Sequence, residues 1–303
     1  MALHWLNLHD QESCMTEIFD DIKKIYQFSP PCGELADYIE FFSESSFEET
    51  TRWSAGKHFT VKMFPSWTPT FWINLGTPYQ LVSGRDIHLI KPQDDILILR
   101  DSIVTRHNLS SDYIFTVKFF PGGLEAILGI NQAKFINTVI DLKTILPARL
   151  LQSIRRPMTF QQRMELLQHF FLLQHSRQKK KDHYLQLVQD SIALYTENSM
   201  QYNTGEIAGK MFLASKTINR YFHQVVGTSP KKYFSILRAR TALTAYVATR
   251  QTLAATDRTR TAANSDHRKG HGAFSPCDFG FHDMSHFYKE VARFTGTTIA
   301  AGQ

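Results

Sequence analysis

The feature that most narrows the fold is a change of hydrophobic period at Pro121-Gly122-Gly123. From about His58 to Phe120 the chain alternates, as in Phe59, Val61 and Met63 against Thr60 and Lys62. Further runs follow at Phe71-Trp72-Ile73, Ile87-His88-Leu89-Ile90, Ile96-Leu97-Ile98-Leu99 and Tyr113-Ile114-Phe115-Thr116-Val117. Successive side chains of a strand point to opposite faces, whereas a helix returns to one face every three or four residues. Gly76, Pro78, Gly84, Pro92 and Asn108 separate the runs, so this part is expected to be a sandwich or small barrel of short strands. Beyond Gly123 the spacing of Leu124, Ile127 and Leu128 is helical and stays so through Arg163–Leu173. The fold class expected is α+β, a β-rich N-terminal part followed by an all-α part.

A chain of 303 residues exceeds the usual size of one domain. The polar, basic stretch from Gln174 to Asp182 reads as a boundary, and Lys179-Lys180-Lys181 within it as a solvated linker rather than a specific site. The division expected is a β-rich domain over 1–155, a helical linker over 156–182 and a helical domain over 183–303. Tyr184, Val188, Ile192 and Tyr195 open the last part at helical spacing. An atypical insertion at about 250–272, rich in Thr, Ala and Arg and nearly empty of large apolar residues, is expected to lack order.

Charge is distributed unevenly between these parts. Residues 1–182 hold 20 of the 34 basic and 20 of the 28 acidic residues, which leaves 14 basic and 8 acidic residues for the remainder. The whole excess of +6 therefore lies in the C-terminal part, as expected for a polyanion partner. No run of about 18 apolar residues occurs, and Met1 to Asp10 reads MALHWLNLHD with no basic start, so neither a membrane span nor secretion is expected. Cys14, Cys32 and Cys277 are odd in number, scattered and without a CxxC pair, which fits free thiols in the cytoplasm.

The densest signal lies in Asn203–Val247. Asn203 and Glu206 have capping-box spacing and open a short helix that ends near Met211-Phe212-Leu213. A second helix from about Ala214 places Ile218, Tyr221, Phe222 and Val225 on one face and Lys216, Asn219, Arg220 and His223 on the other. Gly227 ends it, and Ser229-Pro230 supplies an N-cap and a first-turn proline for a third helix through Arg238, Ala242 and Val247. Outward Lys, Asn and Arg suit the major groove, since Lys and Arg donate to guanine O6 and N7 and Asn pairs bidentately with adenine. An ordinary amphipathic helix with a solvated polar face has the same periodicity, and the pattern alone does not choose between them.

The run from Ile207 to Leu243 resembles the first helix-turn-helix and connecting helix of the AraC-type (AraC/XylS) regulators. The matching residues are Ile207-Ala208, Arg220-Tyr221-Phe222, Gly227-Thr228-Ser229-Pro230, Tyr233, Arg238 and Ala242. Phe279 to Thr298 resembles the family's second unit, through Gly280-Phe281, Asp283, Ser285-His286-Phe287 and Phe294-Thr295-Gly296. The resemblance implies two helix-turn-helix units that each place a recognition helix in the major groove. Lys216, Asn219 and Arg220 would then face bases from the first unit, with His223 on the same face, and Ser285, Tyr288 and Lys289 from the second.

Three departures stand out. Phe212 takes a turn position where the family commonly has glycine. Ala242 to Gly280 spans 38 positions, about twice the separation typical of the family. Ser275 and Pro276 stand where a supporting helix is expected before the second recognition helix.

In the N-terminal half, Phe120-Pro121-Gly122-Gly123-Leu124 with Leu128-Gly129, and Leu35-Ala36-Asp37-Tyr38-Ile39, are similar to stretches of the cupin-like domains that precede some AraC-type DNA-binding domains. Such a domain implies a sensor or dimerisation module. Trp5, Trp53, Trp67 and Trp72 all lie here and could line a ligand pocket, although packing is their commoner use.

His267, His271, Cys277, His282 and His286 cluster without a standard zinc spacing, and His58, His88 and His107 are isolated. No phosphate-binding glycine loop, GxSxG elbow or dinucleotide fingerprint occurs. The expectation is a one-component, non-enzymatic transcription regulator without cofactor or metal. Its expected partners are double-stranded promoter DNA and a small-molecule effector, with RNA polymerase and a second copy of the chain as further candidates. The rivals are a metal-dependent cupin-fold enzyme fused to a DNA-binding domain, and a degenerate regulator with one working helix-turn-helix.

Overall fold

The computed structural model describes residues 13–20, 22–136, 138–178, 183–261 and 274–297. They fall into two compact units, one of residues up to 188 together with 220–228, the other of 189–219 together with 229 onward.

The first unit contains the strands β1 (Ser13–Thr16), β2 (Tyr26–Ser29), β3 (Ile39–Ser45), β4 (Phe59–Met63), β5 (Pro69–Asn74), β6 (Tyr79–Ser83), β7 (Asp86–Ile90), β8 (Ile96–Leu99), β9 (Val104–Asn108), β10 (Ile114–Phe119) and β11 (Val139–Asp141). Its helices are α1 (Phe47–Trp53), α2 (Gly123–Leu128), α3 (Ala148–Ile154) and α4 (Phe160–Arg177). Two sheets form, in the orders β1-β4-β9-β6-β7 and β11-β8-β5-β10-β3-β2. Apart from the parallel pair of β1 with β4, every pairing is antiparallel. Of the two shapes expected, the sandwich is the one formed, because no strand of one sheet pairs with the other among the described residues.

The six-stranded sheet is buried on both faces, and the composition of its strands follows from that. One apolar cluster brings together Phe59, Val61, Trp72, Tyr79, Leu81, Ile96, Ile98, Val104 and Ile114 of the two sheets. A second cluster joins the other face of the six-stranded sheet, through Phe42, Phe71, Ile73, Leu97, Phe115, Val117 and Phe119, to Leu150, Leu151 and Ile154 of α3 and Met164, Leu167 and Phe171 of α4. Alternate residues of β5, β8 and β10 therefore serve different cores, and β8 reads as a continuous apolar run, while β5 and β10 carry the buried Thr70, Asn74, Thr116 and Lys118 among their apolar residues. Each Phe or Leu so buried contributes roughly 1.5–3 kcal/mol. The helix expected within 156–182 is present as α4, opened by a Thr159–Gln162 capping box, and its apolar stripe belongs to this core. Lys179, Lys180 and Lys181 lie outside the described residues.

Buried charges lie at the edges of these layers. Arg163 Nη1 donates to both carboxylate oxygens of Glu44, at 3.1 and 2.9 Å, and its Nε donates to the Ile154 carbonyl at 3.0 Å. Between the sheets, Arg106 pairs with Asp112 at 2.8 Å, Tyr26 donates to the same carboxylate at 2.6 Å, and Arg106 also donates to the Tyr26 hydroxyl. Trp53, Trp67 and Trp72 pack in or against the interior, and Trp5 lies outside the described residues.

The helical part consists of α5 (His183–Glu197), α6 (Thr204–Lys210), α7 (Ser215–Val225), α8 (Pro230–Thr261) and α9 (Met284–Thr295). Within the second unit Tyr195 stacks on Phe234 with ring centroids 4.2 Å apart, and burial pushes its phenol up to about 12. Residues 250–261, expected to lack order, instead continue α8. Ala and Arg are strong helix formers and here extend a helix already nucleated, which costs far less than starting one. The rest of that stretch, 262–273, lies outside the described residues. No described helix is long and apolar enough to cross a membrane.

Candidate nucleic-acid interface

The interface begins with a cap. Asn203 Oδ1 accepts from the backbone N–H of Gly205 and Glu206 at 2.8 and 3.1 Å, while Glu206 Oε2 accepts from Asn203 N–H at 2.7 Å. This is the reciprocal capping box expected from sequence, and it satisfies N-terminal donors that no α-helix satisfies internally. The other end of α6 closes just as tightly. Leu213 N–H donates to Ala208 O at 2.8 Å and Phe212 N–H to Gly209 O at 3.1 Å, the paired bonds of a Schellman turn. Phe212 thereby occupies the position that needs a positive φ, and its φ is 57°.

On α7, Ile218, Tyr221, Phe222 and Val225 are buried, and Lys216, Asn219, Arg220 and His223 are exposed. The two faces expected from helical spacing are thus realised. Asn219 Nδ2 donates to Ser215 O at 3.2 Å, and Arg220 lies 5.0 Å above the Tyr221 ring and donates to its hydroxyl at 3.2 Å. These contacts hold both side chains without removing the remaining donors from solvent. Gly227 follows with φ 92°, and Ser229 Oγ accepts from Lys232 N–H at 3.3 Å to start α8 at Pro230.

The second unit of the interface is built differently from expectation. Directly before Gly280 the chain forms a 3-10 turn, Pro276–Phe279, with Pro276 in the first turn, where its missing N–H costs nothing. The buttress is aromatic. Within the second unit the Phe287 ring of α9 lies 5.0 Å from Phe274, 5.4 Å from Tyr246 and 5.5 Å from Phe281, and Arg238 stacks 4.7 Å over Phe281. Asp283 caps α9 by accepting from His286 N–H at 2.7 Å. Gly280 has φ 70°, and a Cβ there would lie 2.7 Å from the Met200 carbonyl oxygen, so two independent constraints demand glycine.

Ser285 and Lys289 are exposed on α9, as placed by sequence. Tyr288 is half-buried, and its hydroxyl shares a 3.3 Å hydrogen bond with Tyr246, which holds the Tyr288 phenol above its ordinary range. It is turned toward α8 rather than presented with its two neighbours.

Gln132 was not legible in the sequence. Fully buried in the first unit, it accepts from Gly122 N–H at 2.9 Å and donates to the carbonyls of Trp67 and Val226 at 3.1 and 3.0 Å. A Gln in the polar stretch Asn131-Gln132-Ala133-Lys134 has no pattern that marks it as buried. Among the described residues no three His, Cys, Asp or Glu side chains converge as a metal site. His282 and His286 stack at 5.3 Å, His107 pairs with Thr60, and His267 and His271 lie outside the described residues.

No family model and no curated protein matches the chain. Among solved structures it is similar to ToxT from Vibrio cholerae, at 10% identity over 91% of this chain and 96% of that one, with a TM-score of 0.43. Unsaturated fatty acid-bound ToxT from Vibrio cholerae strain SCE256 matches at 12% identity over 80% and 90% of the two chains, with a TM-score of 0.41. The AraC-like transcriptional activator CuxR matches at 12% identity over 74% and 88%, with a TM-score of 0.24.

Proposed function

We propose that the chain is a sequence-specific, double-stranded-DNA-binding transcription regulator of the AraC type. On this reading residues 183–303 bind promoter DNA, and 1–155, with α4 of the expected 156–182 linker packed into its core, sense a signal or pair subunits. The observation that carries it is α7, whose apolar face is buried while Lys216, Asn219, Arg220 and His223 are exposed, between a capped α6 and the glycine-terminated entry to α8. Those side chains have the donor chemistry of major-groove readout, and the basic excess of the chain lies in the same part.

A small-molecule effector of the first unit is part of the proposal. Between the sheets the Tyr79 hydroxyl and both amide atoms of Asn108 are buried without a hydrogen-bond partner among the described residues, close to the Arg106–Asp112 pair. Buried polar atoms left unsatisfied favour a polar ligand. RNA polymerase and a second copy of the chain complete the set of partners in this reading.

Selection of binding sites from random duplexes, followed by titration across salt, is the test. A recovered motif bound with an affinity that falls steeply as salt rises is the expected result, because phosphate contacts release counterions. No motif and a flat salt response would overturn the reading.

A further inference from the structure

Phe212 combines two features that seldom coincide. Its backbone is left-handed, at φ 57°, which an aromatic residue adopts against a steric penalty and which glycine adopts freely. Its side chain is 95% exposed, so no packing within the fold compensates the penalty. A left-handed non-glycine residue is held where the surrounding structure over-determines it, and such residues concentrate at functional sites.

The surroundings point to one kind of partner. Phe212 sits in the turn three residues before α7 begins, and recognition helices contact base edges with their N-terminal residues. Of its sequence neighbours, Gly209, Lys210, Ala214, Ser215 and Lys216 are exposed and small or basic, while the apolar Met211 and Leu213 are partly buried. Phe212 is thus the one large apolar side chain fully exposed in this stretch and offers little of the apolar patch suited to a protein interface. An isolated ring on a basic surface fits a polyanion that offers a single apolar group, and in the major groove that group is the thymine C5-methyl.

We infer that Phe212 is a specificity-determining residue that packs against a thymine methyl at the rim of the site bound by α7. The inference rests on the DNA-binding reading above. It requires no chemistry from the protein beyond apolar contact.

Deoxyuridine differs from thymidine only by that methyl, which makes the test direct. Each dT of the selected duplex is replaced in turn by dU, and the full-length protein and its Phe212→Gly variant are titrated against every duplex. The variant supplies the residue the turn prefers, so a melting temperature at or above that of the parent is expected. The parent should lose about fourfold in affinity at one dT, the value of one buried methyl group. Phe212→Gly should bind the dT and dU forms equally, and Phe212→Leu should keep part of the difference. Site selection with Phe212→Gly should lose its preference for dT at that position alone.

If the parent binds its selected motif but no dT-to-dU change separates it from Phe212→Gly, the inference is wrong while the DNA-binding reading stands. Unchanged DNA binding by Phe212→Gly, with loss of promoter activation, would overturn it in favour of a protein partner. Failure of the parent to select any motif would remove both.

Discussion

Replacing Arg163 by Met tests how the N-terminal layers are held. Arg163 is buried and bonds both oxygens of Glu44 from one side and the Ile154 carbonyl from another. Met retains much of the side-chain volume but none of the donors, so the Glu44 carboxylate is left in the interior without its guanidinium. Breaking a buried pair by removing one partner costs about 3–5 kcal/mol, because the remaining charge is uncompensated. Loss of the bond to the Ile154 carbonyl adds about 1 kcal/mol.

Burial already raises the Glu44 carboxyl above its usual range, with Arg163 as the main opposing influence. Without Arg163 the folded-state value must rise further. Between the unfolded and folded values the native state holds the extra proton, so this group's contribution to stability falls as the pH rises through the folded value. Urea unfolding of Arg163→Met should therefore show a deficit that is small near pH 4 and full near pH 8. The double variant Arg163→Met, Glu44→Gln should recover most of the loss at pH 8. A deficit below about 1 kcal/mol at every pH, or a double variant no better than the single one, would refute the reasoning.

Other substitutions test the helical part. Asn203→Ala removes both acceptor contacts of the α6 cap and should cost about 1 kcal/mol in urea unfolding. Gly280→Ala meets both the left-handed backbone and the Met200 carbonyl, and should lower stability by roughly 1–3 kcal/mol, visible as a drop in melting temperature. Arg220→Ala should cost about 1–3 kcal/mol on the selected duplex and relax base choice there. Lys289→Ala should weaken the selected and a scrambled duplex by similar, smaller amounts, as a phosphate contact would. Equal loss of discrimination by both variants at one salt concentration would instead make α9 a second base reader.

The interface was legible wherever its logic is local. Asn203 and Glu206 announce a cap by spacing alone, and the faces of α7 follow from helical geometry. What depended on distant partners was not. The strand runs named from sequence leave out β1, β2, β3, β6, β9 and β11. In β9 and β3 the inward positions include Arg106 and Glu44, and a buried charge breaks the apolar alternation, the partner of Glu44 lying 119 residues away at Arg163. Tyr288 was assigned to the exposed face of α9, and only the Tyr246 hydroxyl 42 residues earlier shows why it turns aside. Pro276 correctly excluded a regular helix at that point, but the aromatic group that buttresses α9 in its place is assembled from four separate positions.

Double-sided burial of the six-stranded sheet at β8 leaves that strand poorly protected against slippage. When one face is wet, a shift of one residue exposes every apolar side chain and is forbidden. In β8 both faces are dry and apolar, so a shifted alignment there would exchange one apolar set for another at little hydrophobic cost, whereas Thr70 and Asn74 of β5 and Thr116 and Lys118 of β10 make one face of each of those strands partly polar. Polar atoms at the strand ends must then mark the alignment. Asp95 accepts from Asn74 N–H at 3.0 Å and receives Arg155 on its other oxygen, and Ser45 Oγ accepts from Ile114 N–H at 2.7 Å. Burial, partly offset by Arg155, pushes the Asp95 carboxyl up to about 6. Asp95 thus weakens the fold it helps to align, and a Leu in its place would leave the sheet as greasy as before but free to zip up one residue out of step.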